Sequence, residues 1–264
     1  MPILNVSGAT IYFESKGSGP HLLLIHAGIA DSRMWDYEFH SLAQQFQVTR
    51  FDLPGFGQSS FTGGAFSYAS IINKLLDHLA IKQTYIFAAS FGGKIALDFV
   101  TANPKRCLQL ALESSAIDEW DFSEELQRYD EKEEQLLTLK HFEQAAELNY
   151  QTWILRGRSP ETLDSSIREL VIDMQMVAFT QPEPPLPIEE LPTAQPLSET
   201  LDQLTLPVLI IIGERDVDDF KNIAAFLHQK ITHAKKVAIP EAAHLANLEA
   251  PKLVEQLIVS FFLS

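Results

Sequence analysis

The chain has 264 residues, 46% of them apolar, with 12 Gly and 14 Pro, which suits one large α/β domain or two small ones and leaves ample material for a core. Its single cysteine, Cys107, excludes a disulfide within the chain and points to a reducing compartment. The balance of 20 Lys+Arg against 35 Asp+Glu, a formal charge of −15, opposes a polyphosphate backbone and argues against nucleic acid as a partner.

No uncharged apolar run reaches the roughly 18 residues of a membrane-spanning helix. The amino end, Met1-Pro2-Ile3-Leu4-Asn5, lacks the basic start and apolar stretch of a secretion signal, so a soluble cytoplasmic protein without membrane insertion is expected. Short β-branched runs and longer helical stretches then alternate. Ile3 to Val6 and Ala9 to Ser15 predict a hairpin pair, and the apolar run His21 to Ile25 predicts a strand buried on both faces of a parallel sheet. A helix over Met34 to Phe46 leads to a strand over Gln47 to Asp52, and the loop from Leu53 to Ser60 is dense in turn residues. A helix over Tyr68 to Leu79, a strand over Thr84 to Ala89, a helix starting directly after Ser90 and ending near Asn103-Pro104, and a strand over Cys107 to Glu113 complete the first half.

Residues 118–200 are compositionally distinct, with 19 acidic and 6 basic side chains for a net of −13, against −2 for the remainder. Helical patterns run from about Ser123 to Leu155 and from Pro160 to Phe179, followed by a proline-rich stretch, Gln181 to Pro196, expected to be an extended connector. Regular alternation then resumes with a strand over Pro207 to Ile212, a helix over Asp218 to Lys230, a strand over Lys236 to Ile239 and an amphipathic helix over Pro251 to Phe262. Strands alternating with helices imply a mostly parallel sheet covered on both faces, whose ligands bind at the carboxyl ends of the strands.

Those ends carry the informative residues. Ala88-Ala89-Ser90-Phe91-Gly92-Gly93 turns a strand into a helix around a serine, a geometry that exposes Oγ and lets the Phe91 N–H face a developing oxyanion, although Ser is also an ordinary helix cap. Gly213-Glu214-Arg215-Asp216, with Asp218 and Asp219 behind it, could supply a carboxylate to orient an imidazole or could be a simple turn. His244 follows the last strand, where an imidazole can reach over the sheet and shuttle a proton near neutral pH, and the other seven of the 8 histidines have no comparable setting. The loop after Ile25 could add a second oxyanion donor or could be a plain strand-to-helix turn.

Ser, Asp, His in that order on successive strand ends resembles the α/β-hydrolase superfamily. The resemblance spans nearly the whole chain through HAGIADSRMWD at 26–36, FDLPGFGQS at 51–59, AASFGG at 88–93, GERD at 213–216 and AAHLANLEAP at 242–251. It implies an α/β-hydrolase fold with a mostly parallel sheet of about eight strands, helices on both faces and a helical lid over 118–200 inserted into a core of 1–117 and 201–264. It further implies Ser90 as nucleophile, His244 as general base and acid, Asp216 as orienting carboxylate and the N–H groups of Gly28 and Phe91 as oxyanion hole. Asp218 and Glu113 are alternative acids, and His26 and Asp52 would brace the loops. Ala88 departs from the glycine usual two residues before the serine.

The implied activity is hydrolysis of a small to medium carboxylic ester or lactone. Carbon–carbon bond hydrolysis, cofactor-free oxygenation or perhydrolysis, and a non-catalytic ligand receptor are the alternatives. Trp120, Phe122, Tyr129, Phe142, Tyr150, Trp153, Met174, Met176 and Phe179 are candidate pocket walls, but such residues at helical spacing usually pack the core. No Cys/His spacing suggests a metal and no Gly-rich loop suggests a nucleotide, so no cofactor is expected. The oligomeric state is not legible.

Overall fold

The computed structural model describes residues 2–192 and 197–264. Strands β1 (Ile3–Val6), β2 (Ala9–Gly17), β3 (His21–Ile25) and β4 (Gln47–Phe51) come first, with a short helix α1 (Asp36–Ser41) between β3 and β4. The small strands β5 (Ser60–Phe61) and β6 (Gly64–Phe66), helix α2 (Tyr68–His78), β7 (Thr84–Ala89), α3 (Phe91–Ala102) and β8 (Cys107–Glu113) follow. Helices α4 (Glu124–Thr138), α5 (Phe142–Asn149) and α6 (Ser165–Phe179) and strand β9 (Ile188–Glu190) lie between β8 and the closing run of β10 (Val208–Gly213), α7 (Asp218–Lys230), β11 (Ala234–Ile239), α8 (Ala246–Glu249) and α9 (Pro251–Phe262).

The main sheet runs β1-β2-β4-β3-β7-β8-β10-β11, with β5 attached to β2. β1, β2 and β5 pair antiparallel, and from β4 to β11 every neighbour pair is parallel. The fully buried run Val208–Gly213 and the apolar strand Thr84–Ala89 explain why this part of the sheet is covered on both faces. Because the chain steps from β3 outward to β4 and then returns to β7 on the other side of β3, the connections leaving Ile25 and Ala89 diverge. A crevice opens between them at the carboxyl ends.

Several expectations change in detail. The helix expected over Met34 to Phe46 is divided into a tight turn at Ser32–Trp35, α1, and a second tight turn at Leu42–Gln44. Its start is drawn in by two carboxylates: Asp31 accepts from the Arg33 N–H at 2.9 Å and Asp52 from the Ser32 N–H at 2.8 Å. The helix expected over Ser123 to Leu155 breaks after α4, where Lys140 takes a left-handed φ of 57° and the His141 N–H turns back to Leu136 O at 2.8 Å. A π-helical turn, Tyr150–Leu155, then extends α5 and stops at Arg156, φ 50°, and Gly157, φ 71°. The proline-rich connector contains β9, paired parallel to β6, and its positions 193–196 lie outside the described residues.

Ile211 sits at the centre of β10 with no exposure, so Ile211→Ala should cost about 2–5 kcal/mol in urea unfolding. Leu139→Ala, at a residue 56% exposed, should stay within about 0.5 kcal/mol of wild type in the same measurement.

Candidate active site

Ser90 joins β7 directly to α3 and adopts φ 51°, ψ −118°, a conformation that L-residues avoid unless their surroundings enforce it. The enforcement is visible in its main chain: its N–H donates to Glu113 O at 2.9 Å, and its carbonyl accepts from Gly93 at 2.8 Å and Ala116 at 3.0 Å. A methyl added at Gly92 would lie 2.4 Å from His26 O, and one at Gly93 2.4 Å from Ser115 Oγ, so both positions must be glycine for α3 to start here. Ala88, where glycine was expected, is fully buried between Ile25 on β3 and Leu112 on β8.

Ser90 Oγ lies 2.8 Å from His244 Nε2, and His244 Nδ1 lies 3.0 and 3.1 Å from the two carboxylate oxygens of Asp216. Asp216 follows the end of β10, its Oδ1 also accepting the Val217 N–H at 2.7 Å. The His244 loop is pressed against that strand end, since a methyl at Gly213 would stand 2.0 Å from Ala243 O. The His244 N–H donates to Trp153 O at 3.1 Å, and the imidazole is flanked by the Trp153 ring at 4.6 Å and the Phe220 ring at 4.5 Å.

The other expected residues separate by role. Asp218 pairs with Lys221 at 2.7 Å, and Asp219 accepts from Ser123, so neither contacts His244. Glu113 accepts the Asn247 N–H at 2.8 Å; burial pushes its carboxyl from an ordinary value near 4.5 up to about 8. Gly28 and Phe91 are in contact across the crevice, with a methyl at Gly28 reaching to 3.3 Å of Phe91 Cβ. Burial lowers the pKa of His26, and its neutral Nε2 accepts the Leu53 N–H at 2.8 Å. Asp52 accepts the N–H of Ser32 and of Gln58, each at 2.8 Å. These two side chains therefore tie together the loops after β3 and β4.

Above Ser90 and His244 opens a cavity of about 390 Å³, lined also by Gly28, Ile29, Phe91, Phe122, Leu126, Tyr129, Asp130, Glu133, Trp153 and Phe220. Of the candidate aromatic walls, Phe122, Tyr129 and Trp153 reach it, whereas Trp120 packs on Phe226 and Phe142 on Phe179. Phe220 was not anticipated. It stands near the start of α7, and its ring meets His244 only in the folded chain. Among the described residues, no group of three or more His, Cys, Asp or Glu side chains is placed to hold a metal ion. No helix among the described residues is long and apolar enough to cross a membrane.

A parallel sheet with a serine elbow at its switch point is the architecture of α/β hydrolases. A family model for the α/β-hydrolase fold matches residues 20–251, and the chain belongs to that family. A pimeloyl-[acyl-carrier protein] methyl ester esterase from Nitrosospira multiformis is 26% identical over 271 residues, covering 96% of this chain and 98% of the relative. Among solved structures, an enol-lactonase from Burkholderia xenovorans superposes with a TM-score of 0.77 at 20% identity, covering 100% of both chains. A thermophilic esterase from Thermogutta terrifontis superposes with a TM-score of 0.80 at 21% identity over 99% of this chain and 98% of its own. These two likenesses bear on the fold.

The raised pKa of Glu113 has a consequence for stability. An unfolded Glu ionises near 4.5 whereas the folded one holds its proton to about 8, so the folded state binds the extra proton between those values and stability should fall as pH rises through that window. Urea unfolding at a series of pH values should show that slope, at most about 1.4 kcal/mol per pH unit. Glu113→Gln should flatten it.

Proposed function

We propose that this protein is a serine hydrolase that cleaves a small to medium carboxylic ester or lactone through an acyl-enzyme on Ser90. The observation that carries this reading is the unbroken hydrogen-bonded chain from Ser90 through His244 to Asp216 at the floor of the cavity. The neutral imidazole donates from Nδ1 to Asp216 and accepts the Ser90 proton at Nε2 while Oγ attacks the ester carbon. The oxyanion is received by the N–H groups of Gly28 and Phe91, the latter at the positive end of α3. His244 then protonates the departing alcohol, which stays tethered when the substrate is a lactone, and activates the water that releases the acid. The esterase named on the Nitrosospira relative supports this substrate class. A pure receptor would place no such demand on three separate strand ends.

In this reading residues 118–200 are the lid, set into a core of 1–117 and 201–264, and supply half of the residues that line the cavity. Aromatic rings make that wall apolar, and Asp130 and Glu133 make it negative without a Lys or Arg among the lining residues. The four arginines of the segment are already engaged: Arg128 by Glu124, Arg156 by Glu125, Arg158 by Glu249 and Arg168 by Glu147. Neutral, moderately apolar esters therefore fit best.

Ser90→Ala and His244→Ala should each lower kcat by about 10⁴-fold or more on p-nitrophenyl esters with the fold intact by circular dichroism, and the double variant should be little worse. Asp216→Asn should cost far more than Asp218→Asn or Asp219→Asn. Additive losses, or a fluorophosphonate label on another residue, would overturn the assignment.

An anionic ester should react more slowly than its neutral isostere at low ionic strength. The gap should narrow toward 0.15 M salt, where the Debye length falls to about 8 Å. A faster anionic ester at low salt would contradict the electrostatic reading of the cavity.

A further inference from the structure

The loops bearing Asp216 and His244 each hand a second carboxylate to the segment between β8 and β10. Asp219, three residues after Asp216 and 5% exposed, accepts the N–H of Ser123 at 2.9 Å and its Oγ at 2.6 Å, and so fixes the start of α4. Glu249, five residues after His244, pairs with Arg158 at 2.6 Å, the two side chains being 5% and 10% exposed. The other oxygen of Glu249 accepts the N–H of Ala243, the residue before His244, at 2.9 Å. Arg158 also donates to Glu241 O at 2.8 Å and to the carbonyls of Ile154 and Leu155, which binds the π-helical turn to the same loop. Arg156 donates to Arg215 O at 3.3 Å, next to Asp216.

We propose that Ser123, Asp219, Arg158 and Glu249 are positioning residues: through them the inserted segment sets the separation between the Asp216 loop and the His244 loop at which one imidazole reaches both Asp216 and Ser90. The inference rests on the serine-hydrolase reading. The wall that selects substrate is then also the clamp that aligns the base. Misplacing a reacting group by about 1 Å can cost on the order of 10²-fold in rate, so a clamp on the His244 loop acts on chemistry and not only on stability.

The test uses the full chain and two readouts: kcat and KM on a p-nitrophenyl ester, and the rate at which diisopropyl fluorophosphate labels Ser90. The small phosphorylating probe needs the His244 base but little of the cavity wall. Rates are normalised to the folded fraction. Val48→Ala, which opens a cavity at a fully buried position near the amino end of β4, away from the carboxyl ends, serves as the destabilised control. Arg158→Ala and Glu249→Ala should lower kcat and the labelling rate together, by about tenfold to 10²-fold, with KM close to wild type. The double variant should be no worse than the poorer single. Arg158→Lys, which keeps the charge but not the fork, should recover part of the loss, and with Glu249→Gln it gives the same readouts where the Ala variants fail to fold. A labelling rate that stays at the level of the control in these variants, whether or not KM rises, overturns the proposal. Turnover that survives Ser90→Ala overturns the hydrolase reading itself, and the proposal with it.

Discussion

The backbone of Ser90 is the constraint around which the rest is arranged. A non-glycine residue at φ 51°, ψ −118° costs on the order of 1–3 kcal/mol and persists only when its neighbours leave no alternative. Here β8 takes its N–H, the α3 turn and Ala116 take its carbonyl, and Gly92 and Gly93 let helix, β3 loop and Ser115 close to distances that any side chain would forbid. That crowding leaves Oγ 2.8 Å from His244 Nε2, with Phe91 at the first position of α3 and Gly28 of the neighbouring loop close to the Phe91 side chain. One strained residue thus links the sheet's switch point to the hydrogen-bonded chain that runs through His244 to Asp216.

The electrostatics beneath His244 depend on keeping two carboxyl groups different. Asp216 faces the imidazole and the Val217 N–H. Glu113, at the end of the adjacent strand, is fully buried, and its upward shift to about 8 comes first from that burial, with the charge of Asp216 adding to it. A protonated Glu113 adds no second negative charge beside Asp216, so the imidazole of His244 faces one carboxylate. Glu38, its carboxyl also pushed well up by burial, lies 3.5 Å from the Asn247 amide below the His244 loop. The alternative acid considered from sequence thus has a different part, supporting the loop through Asn247.

How much of this was legible in the sequence follows from where each signal resides. β7, β8, α7 and α9 match their expected bounds because continuous apolar runs and 3.6-residue periods are local and strong. Ser90, Asp216 and His244 were singled out because they follow the ends of β7, β10 and β11, by one, three and five residues. β5, β6 and β9 were not: β9 is exposed at all three positions and pairs through its backbone, which leaves no hydrophobic trace. The break at Lys140 was hidden because no glycine or proline marks it, and Phe220 because its ring meets His244 only once β10, α7 and the last loop have closed together.

The arrangement of the inserted segment explains how a strongly acidic stretch can lie over a site that must bind substrate. Its charges are sorted by face. On α4, Leu126, Tyr129, Asp130 and Glu133 turn to the cavity, while Arg128 and Lys132 line the neighbouring outer groove with Glu125. Glu133 is held in a network, accepting from the Asn149 amide at 2.6 Å, while Asn149 in turn accepts the Tyr129 hydroxyl at 2.5 Å and bonds Gln175 of α6. The carboxylate at the cavity wall is therefore a fixed part of its shape. Its polar partners tie α4, α5 and α6 together above the aromatic rings, so wall geometry and wall charge are set by the same bonds. A change of substrate preference in this fold would then require rebuilding the network among Tyr129, Glu133, Asn149 and Gln175 and not merely exchanging a surface charge.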